Sequence, residues 1–353
     1  MIGVFDHPWL GGLFGDDAAN MIWSDERQLA HMLAFEAAYA RALGAAGVVD
    51  TKTANAAARL IREFEPDITG LRTGTATDGL VVPDLVRQLK ADAGPLAAAI
   101  HSGSTSQDVL DTALALCLRD TTALLVKRLD KLAARLDRLT TTFGGQPLMG
   151  RTRMQAALPI TVGDRIATWR GPLDGHRDRL EQIKPRVEML QLGGPVGDRR
   201  TLGSGADEIV QSVATELGLA PPDRTWHTTR DGVAEYAGLL SLITASLGKM
   251  GQDMCLMAQQ GLDELSFADG GGSSAMPHKQ NPVLPELLVT LAHFNAAQLS
   301  GMHHAVVHEQ ERSGSAWALE WMILPQMAVA AARSISAGTT ACKNITSIGQ
   351  PKG

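Results

Sequence analysis

Residues 107–143 read QDVLDTALALCLRDTTALLVKRLDKLAARLDRLTTTF, and this stretch decides the fold class. It contains neither proline nor glycine, and its apolar residues recur at the spacing of an α-helix along the whole length. At 1.5 Å per residue such a helix would be about 55 Å long. Helices in globular proteins are usually much shorter, so the stretch predicts an extended helical bundle.

Other parts of the chain show the same helical pattern. They predict further bundle helices at 158–190, 231–260, 283–304 and 317–340. Shorter helices are predicted at 24–43, 53–65 and 80–91. The Gly- and Thr-rich segment 70–79 is typical of a loop. The expected fold is therefore all-α.

The placement of these patterns also predicts how the chain divides into domains. We expect a small N-terminal helical domain at 1–97, a central long-helix bundle at 98–340 and a C-terminal tail at 341–353.

Composition and charge argue against several classes of protein. The net charge of −6 provides no general positive potential for nucleic acid or for an anionic membrane. No uncharged apolar stretch reaches the length of a membrane span, and the N-terminus shows no signal peptide. Cys117, Cys255 and Cys342 are widely spaced and odd in number, which predicts neither a disulfide framework nor a zinc site. These features are typical of a cytoplasmic protein.

The segment GGGSSAMPHKQNP, residues 270–282, is the most informative about function. Its glycines allow unusual backbone angles, and Pro282 suits the first turn of the following helix, with Asn281 as its cap. Free N–H groups at a helix start favour an anion, and Lys279 adds a positive charge. An ordinary linker would explain the glycines and the proline, but not Ser-Ser, Met, Lys and Asn at these offsets.

This segment resembles the signature loop of the fumarase/aspartase superfamily, Gly-Ser-Ser-x-Met-Pro-x-Lys-x-Asn-Pro, at every specified position. In that superfamily the first serine is a catalytic base or acid, and the lysine and asparagine hold substrate carboxylates. The resemblance implies that Ser273 and Lys279 are catalytic and that Asn281 binds substrate. It also places Ser274 and Met276 in the substrate site.

The segment HSGSTSQD, residues 101–108, resembles another signature region, in the form found in adenylosuccinate lyases, His-x-Gly-x-Thr-Ser-x-Asp. The resemblance implies substrate contacts by Ser104, Thr105 and Ser106. Capping of the long helix is the alternative role for the last two hydroxyls. Asp108 is expected to serve the first helical turn.

The segment MGRTRMQAALP, residues 149–159, resembles the remaining signature region. Thr152 and Gln155 match substrate-binding positions there, and Arg151 and Arg153 are candidate donors to substrate carboxylates.

In the superfamily these three regions lie far apart on one subunit and meet where the subunits of a homotetramer adjoin. The resemblance therefore implies a twenty-helix core, built from five helices of each subunit, with active sites shared between copies. Most relatives continue into a further C-terminal helical domain. Here that domain is expected to be absent or shortened.

The segment EQERSGSAWALEWMILP, residues 309–325, indicates a branch of the superfamily. Its Glu-Arg pair, followed by Trp-x-x-Glu-Trp-x-x-Leu-Pro, resembles bacterial 3-carboxy-cis,cis-muconate cycloisomerases, and Arg312 is the substrate contact that it suggests. Adenylosuccinate lyases instead have a histidine at the position of Arg153 and a His-Asp pair at that of Thr77-Asp78.

The resemblance implies an enzyme that closes 3-carboxy-cis,cis-muconate, a small polycarboxylate, to 4-carboxymuconolactone in protocatechuate degradation, the β-ketoadipate pathway. It implies no metal or other cofactor. Ser273 is the first candidate for the proton donor, and His101 and His278 are the alternatives. Arg153 would also suit a sulfonate, so 3-sulfomuconate stays open as a substrate.

Two other functions compete with this one. The first is adenylosuccinate lyase or another lyase of the superfamily. The second is a crystallin-like structural protein, against which the retention of Ser273, Lys279 and Asn281 argues.

Overall fold

The structure, a computed structural model, describes residues 3–268, 271–272, 276 and 279–350. In this part of the chain the helices are α1 (Gly11–Phe14), α2 (Asp17–Ile22), α3 (Asp25–Ala45), α4 (Thr51–Glu63), α5 (Ile68–Asp78), α6 (Val82–Ala93), α7 (Ser106–Phe143), α8 (Val162–Val187), α9 (Ala206–Leu217), α10 (Asp231–Met257), α11 (Val283–His304) and α12 (Ser315–Asn344). The strands are β1 (Pro147–Thr152), β2 (Gln155–Thr161), β3 (Leu265–Phe267) and β4 (Ile345–Ile348). Each sheet is an antiparallel pair, β1 with β2 and β3 with β4.

Long helices dominate the described chain and confirm the predicted all-α fold. α7 has 38 residues and is therefore about 57 Å long. α8, α10, α11 and α12 have 26, 27, 22 and 30 residues. The bounds of α7 and α11 agree with the predicted bounds to within one residue, because the apolar spacing that defines each helix is sustained to both of its ends.

These five helices pack around one apolar core. α10 contacts α8, α11 and α12, while α7 packs on α8 and α12. The core contains completely or almost completely buried side chains from all five helices, among them Leu125, Leu180, Ile243, Leu288 and Met327. Each long helix is stable in water because its neighbours cover its apolar face.

A second apolar core lies around the first turns of α7. It combines side chains of α3, α4, α6 and α9, and the rings of Phe35 and Tyr39 stack in it with centroids 5.8 Å apart. α9 packs on α3 although it follows residue 98 in the chain. The division into 1–97, 98–340 and 341–353 stays a proposal. The second core brings α3 next to the segment 101–108.

The prediction of a loop at 70–79 is wrong, because most of these residues form α5. The Asp67 side chain caps the helix by accepting from the Thr69 N–H at 3.0 Å, and Gly79, with φ +77°, ends it. Gly74 allows a close approach of α6, since a Cβ there would lie 2.6 Å from the Cβ of Asp84. Capping and packing thus outweigh the weak helix propensity of glycine and threonine.

The predicted helix at 158–190 begins too early, because residues 158–161 belong to β2. β2 pairs with β1 in register from Pro147 with Thr161 to Thr152 with Gln155. Thr161 then caps α8, and Asp164 completes a capping box with it. The apolar run of β2 cannot be told from a buried helix segment by periodicity alone.

The start of α11 also differs from the prediction. Pro282 is the N-cap rather than a residue of the first turn, and in the described chain no side chain caps the helix. Asn281 instead pairs through its backbone with Gly271, with both N–H···O distances 2.9 Å. This pairing places Gly271 next to the start of α11.

Among the described residues, none of the helices combines the length and the apolar character that crossing a membrane requires.

Candidate active site

Asp108, in the first turn of α7, organises the segment 101–108. This buried carboxylate accepts from the Thr105 N–H at 3.0 Å and from the N–H groups of Gly193 and Gly194 at 2.8 and 2.9 Å. The Nε2 of His227 lies 2.8 Å from it. These contacts fit the expected role of Asp108 in the helix start, and they also tie the turn at 193–197 to that start.

Arg312 lies against the same helix start. Its Nε donates to Oε1 of Gln107 at 3.0 Å, and its Nη2 donates to the carbonyl of Pro195 at 3.1 Å. Within the described chain its Nη1 makes no hydrogen bond to protein. The guanidinium is therefore fixed in direction and retains a donor for an anionic ligand.

Gln107 holds Arg312 because its own amide is oriented. Its Nε2 donates to Oδ2 of Asp111 at 3.0 Å and to the carbonyl of His227 at 2.8 Å. Both amide hydrogens are thereby engaged, so Oε1 faces the arginine. Sequence reasoning did not single out Gln107, although it lies between Ser106 and Asp108 of a recognised motif.

His101 lies at the edge of the same region, in a left-handed conformation with φ +55°. Its backbone N–H donates to Oε2 of Glu36 at 3.1 Å, and its ring Nδ1 lies 2.6 Å from Oε1 of the same carboxylate. Glu36 is completely buried. Sequence reasoning also missed Glu36, because its place in the middle of α3 gives no signal of a polar role.

The hydroxyls of Ser104, Thr105 and Ser106 border this region. Ser104 is buried, and in the described residues its Oγ has no hydrogen-bond partner. Buried hydroxyls normally have one, so this unpaired hydroxyl is an exception that needs an explanation. Thr105 is the N-cap of α7 and Ser106 its first residue, which leaves both capping and substrate contact open for them.

A buried ion cluster lies beneath the start of α7. Arg230 donates to Asp111 at 2.7 and 3.1 Å and to Glu320 at 2.8 and 2.5 Å, and all three side chains are almost completely buried. Its guanidinium also lies over the Trp226 ring, 4.8 Å from the centroid. Burial disfavours the charge, but the two carboxylates outweigh it and raise the pKa of Arg230 above its ordinary value.

Trp317 connects this cluster to α12. Its Nε1 donates to Oδ1 of Asp111 at 3.1 Å, and its ring meets that of Trp321 at 4.7 Å between centroids. The ring of Trp317 is buried, so both its packing and its hydrogen bond serve the cluster.

A second set of predicted site residues lies on the β1–β2 hairpin. Arg151 donates through Nη1 to Oε2 of Glu264 at 2.9 Å. Arg153 and Met154 form the turn with φ +49° and +69°, as both central residues of a type I′ turn require. Thr152 and Gln155 pair next to this turn and are exposed. The hairpin thus presents polar side chains to its surroundings on a strained tip.

The described part of the signature loop lies before α11. Lys279 is exposed, and its backbone N–H donates to the carbonyl of Met276 at 3.0 Å. Asn281 is partly buried at the pairing with Gly271. Ser273, Ser274 and His278 lie outside the described residues.

One chain brings together only part of the predicted set. The end where α7 begins holds five of the predicted site residues: His101, Ser104, Thr105, Ser106 and Arg312. The hairpin follows the other end of α7, about 57 Å away along the helix. The loop before α11 also lies toward that end, since Met257, at the end of α10, contacts Arg165 near the start of α8. Lys279, Asn281 and the hairpin residues are therefore separated from Arg312.

Within residues 3–268 and 279–350 there is no group of three or more His, Cys, Asp and Glu side chains that could hold a metal ion.

Comparison with known proteins gives a consistent picture. The profile of a lyase family matches residues 14–296. The 3-carboxy-cis,cis-muconate cycloisomerase of Pseudomonas aeruginosa is 39% identical over 313 residues, which are 87% of this chain and 68% of the relative. The N-acetyl-S-(2-succino)cysteine lyase of Enterococcus italicus is 32% identical, over 92% of this chain and 72% of the relative.

Among solved structures, the 3-carboxy-cis,cis-muconate lactonizing enzyme from Pseudomonas putida superposes with a TM-score of 0.92 at 35% sequence identity. The match covers 97% of this chain and 78% of that one. The long-helix bundle thus has the fold of this solved structure.

Proposed function

The chain belongs to the lyase family of the fumarase/aspartase superfamily, and from that premise we propose that it is a 3-carboxy-cis,cis-muconate cycloisomerase. The observation that carries the proposal is the placement of Arg312. This arginine lies in the segment that resembles the cycloisomerases. Gln107 and Pro195 hold it at the start of α7, and its Nη1 remains as a hydrogen-bond donor for a ligand.

The reaction is an internal addition. An oxygen of one substrate carboxylate forms a bond to a double-bond carbon, which closes a five-membered lactone. The π electrons move to the neighbouring carbon, next to another carboxylate, and that carbon takes a proton. A neutral ester replaces one carboxylate, so each turnover consumes one proton. The negative charge that develops next to the carboxylate must be stabilised by fixed donors.

The proposed donors come from both ends of the bundle. Arg312 and the hydroxyls of Ser104 and Thr105 serve at the α7 start. Lys279 and Asn281 serve at the loop before α11, where the positive end of a 22-residue helix adds to them.

The hairpin adds its own donors to this site. Glu264 already neutralises part of the charge of Arg151. Arg153, on the exposed turn, is therefore the stronger candidate for a substrate carboxylate, with Thr152 and Gln155 beside it.

The site requires more than one copy of the chain. Because Arg312 and Lys279 lie at opposite ends of long helices, they can serve one substrate only if different copies supply them. We accordingly propose a homotetramer in which neighbouring bundles complete each site.

Ser273 is proposed as the proton donor, with His101 as the alternative among the described residues. Ser273→Ala should abolish turnover and leave the dissociation constant of the substrate largely unchanged, because the carboxylate donors remain. Stopped-flow absorbance and isothermal titration calorimetry measure the two quantities. Retained turnover would transfer the role to another group.

The test of the proposed function is a comparison of substrates on the purified protein. Loss of diene absorbance with 3-carboxy-cis,cis-muconate, and formation of 4-carboxymuconolactone, are expected. This activity would place the enzyme in protocatechuate degradation through β-ketoadipate. 3-Sulfomuconate, run alongside, tests whether Arg153 accepts a sulfonate in place of a carboxylate.

Two further substrates test the competing functions. Adenylosuccinate is expected to be inert, because Arg153 and Thr77 replace the histidines of that enzyme and an arginine cannot shuttle protons near neutral pH. N-acetyl-S-(2-succino)cysteine tests the activity named for a relative. The proposal would be refuted if the protein turned over either of these compounds and neither muconate. If it turned over none of the four compounds, a structural role would be favoured.

A further inference from the structure

Glu36, in the middle of α3, has an environment unlike that of a structural carboxylate. Its side chain is 0% exposed. Both oxygens contact one residue, since Oε2 accepts from the His101 backbone N–H at 3.1 Å and Oε1 lies 2.6 Å from the ring Nδ1. Both oxygens of the carboxylate thus bind the same histidine.

This contact combines two unfavourable features. A buried carboxylate loses its hydration, and among the described residues its ion-pair partner is that histidine rather than a lysine or arginine. His101 also adopts φ +55°, a backbone conformation that is unfavourable for most residues other than glycine. Such costs concentrate at functional sites, where surrounding contacts enforce them.

The backbone of this turn has other supports. Tyr39, about one helical turn beyond Glu36, donates through its hydroxyl to the Ser102 carbonyl at 2.5 Å. Thr201 donates to the Gly103 carbonyl, also at 2.5 Å. These bonds hold residues 102 and 103 in place. The backbone of the turn is therefore held without the contact between Oε1 of Glu36 and the His101 ring. That contact must have another role.

We propose that Glu36 is a positioning residue for His101. By accepting the Nδ1–H, the carboxylate fixes the ring so that Nε2 lies at the edge away from α3. The side chain is 14% exposed, so part of it is accessible from outside the protein. A buried carboxylate orients a catalytic histidine in the same way in hydrolase triads. Nε2 is then held in one direction for contact with the substrate.

This inference rests on the proposed function, because it assigns His101 to the muconate site. The residue lies beside Ser104, whose buried hydroxyl has no partner in the described chain. Thr201 links this stretch to the turn at 193–197, since a Cβ at Gly194 would lie 2.5 Å from its Oγ1. The carbonyl of Pro195 in that turn binds Arg312.

A double-mutant cycle tests whether Glu36 acts through His101. Glu36→Gln keeps the shape of the side chain, and His101→Asn suits the left-handed conformation. Glu36→Gln should lower kcat/KM for 3-carboxy-cis,cis-muconate by roughly 10- to 100-fold, by analogy with the loss of carboxylate partners of metal-bound histidines. In the His101→Asn background the same change should cost less than about threefold. Equal losses in both backgrounds, or none in the wild type, would overturn the proposal.

A measurement without substrate separates this proposal from the proposed function. In protein labelled with ¹⁵N-histidine, the Nδ1–H resonance of His101 is identified by its loss in His101→Asn. Glu36→Gln should shift or remove that resonance, whereas Tyr39→Phe, which loosens the same turn, should leave it in place. An unchanged resonance in Glu36→Gln would refute the positioning role for any substrate. A changed resonance in a protein that does not turn over muconate would support the role and refute only the proposed function.

Discussion

At the scale of single residues, the candidate site depends on side chains with fixed directions. Arg312 has its direction set by Gln107 and by a backbone carbonyl, and Gln107 is in turn oriented by Asp111 and His227. Each of these bonds uses a planar group whose geometry a shorter or more flexible side chain cannot reproduce. The consequences can be measured one residue at a time.

The first such measurement concerns the shape of the Arg312 side chain. Arg312→Lys keeps the charge but cannot reach Gln107 and Pro195 together, since an ammonium has no planar fork. We expect kcat/KM for the muconate to fall by about 100-fold, with most of the change in KM. Steady-state kinetics provide the test.

Arg135→Lys is the matched control for Arg312→Lys. Arg135 also donates to backbone carbonyls, those of Cys342 and Lys343, at the far end of α7. This change should leave kcat/KM within about twofold. Similar losses in the two variants would mean that Arg312 has only a structural role.

His176 makes stability depend on pH. Burial lowers the pKa of this histidine to about 4, and the nearby charge of Arg179 adds to the effect. In the unfolded chain histidine titrates near pH 6.5, so the unfolded state takes up the proton first as the pH falls. The folded protein should therefore lose stability between pH 6.5 and about 4, by at most about 3 kcal/mol from this group.

The check for His176 is urea denaturation at several pH values. His176→Gln keeps a partner for the Ser246 hydroxyl, which lies 2.8 Å from the histidine Nε2. Its unfolding free energy should fall less steeply than that of the wild type between pH 6.5 and 4. Parallel curves for the two proteins would show that another group governs the acid loss.

At the scale of secondary structure elements, the buried ion cluster fixes how three helices meet. Asp111 belongs to α7, Arg230 precedes α10, and Glu320 belongs to α12. Removing the arginine leaves two carboxylates without compensation in the core, which is far more costly than replacing the whole set. The cluster therefore connects the site, through Gln107, to the stability of the bundle.

Arg230→Met should destabilise the protein by about 3–5 kcal/mol, since Asp111 and Glu320 would both lose their cationic partner. The urea midpoint measures this loss. Glu235→Gln is the control, because Glu235 pairs with Arg186 where both side chains are about half exposed. Exposed pairs contribute little, so this control should stay close to the wild type. Equal destabilisation by both changes would show that burial of the cluster does not determine its contribution to the free energy of unfolding.

The elements also show where local sequence is decisive. α7 and α11 follow from apolar spacing alone, because the helical spacing of buried apolar residues continues to both ends of each helix. α5 and β2 do not follow from it. α5 depends on its Asp67 cap and on a close approach to α6, and β2 depends on pairing with β1, which no window of sequence contains.

At the scale of the whole molecule, the length of the bundle separates the predicted site residues. α7 alone is about 57 Å long, so its two ends cannot serve one small substrate. The separation leads directly to a test of shared active sites.

Mixing two inactive variants should restore activity if different copies complete each site. Arg312→Met and Lys279→Met damage opposite ends, so a mixed oligomer contains some sites with both groups intact. We expect measurable turnover after the two proteins are unfolded together and refolded, and none from either alone. Assays of the muconate rate over the mixing ratio provide the measurement.

The control mixture combines Arg312→Met with Gln107→Met. These two residues contact each other within one chain, so exchange of subunits cannot bring intact copies together. No activity should return. If both mixtures recovered equally, or neither did, sharing of sites between copies would be refuted.

The sequence by itself determined the all-α class, the bounds of α7 and α11 and the membership of a lyase family. These properties depend on periodicity and on contiguous motifs, which a linear pattern contains. Only the tertiary structure decided that Glu36 faces His101, that Gln107 orients Arg312 and that Arg230 lies between Asp111 and Glu320. Those contacts join residues that are 65 to 205 positions apart in the chain, and they exist because packing of the helices, rather than any local preference, sets which side chains meet.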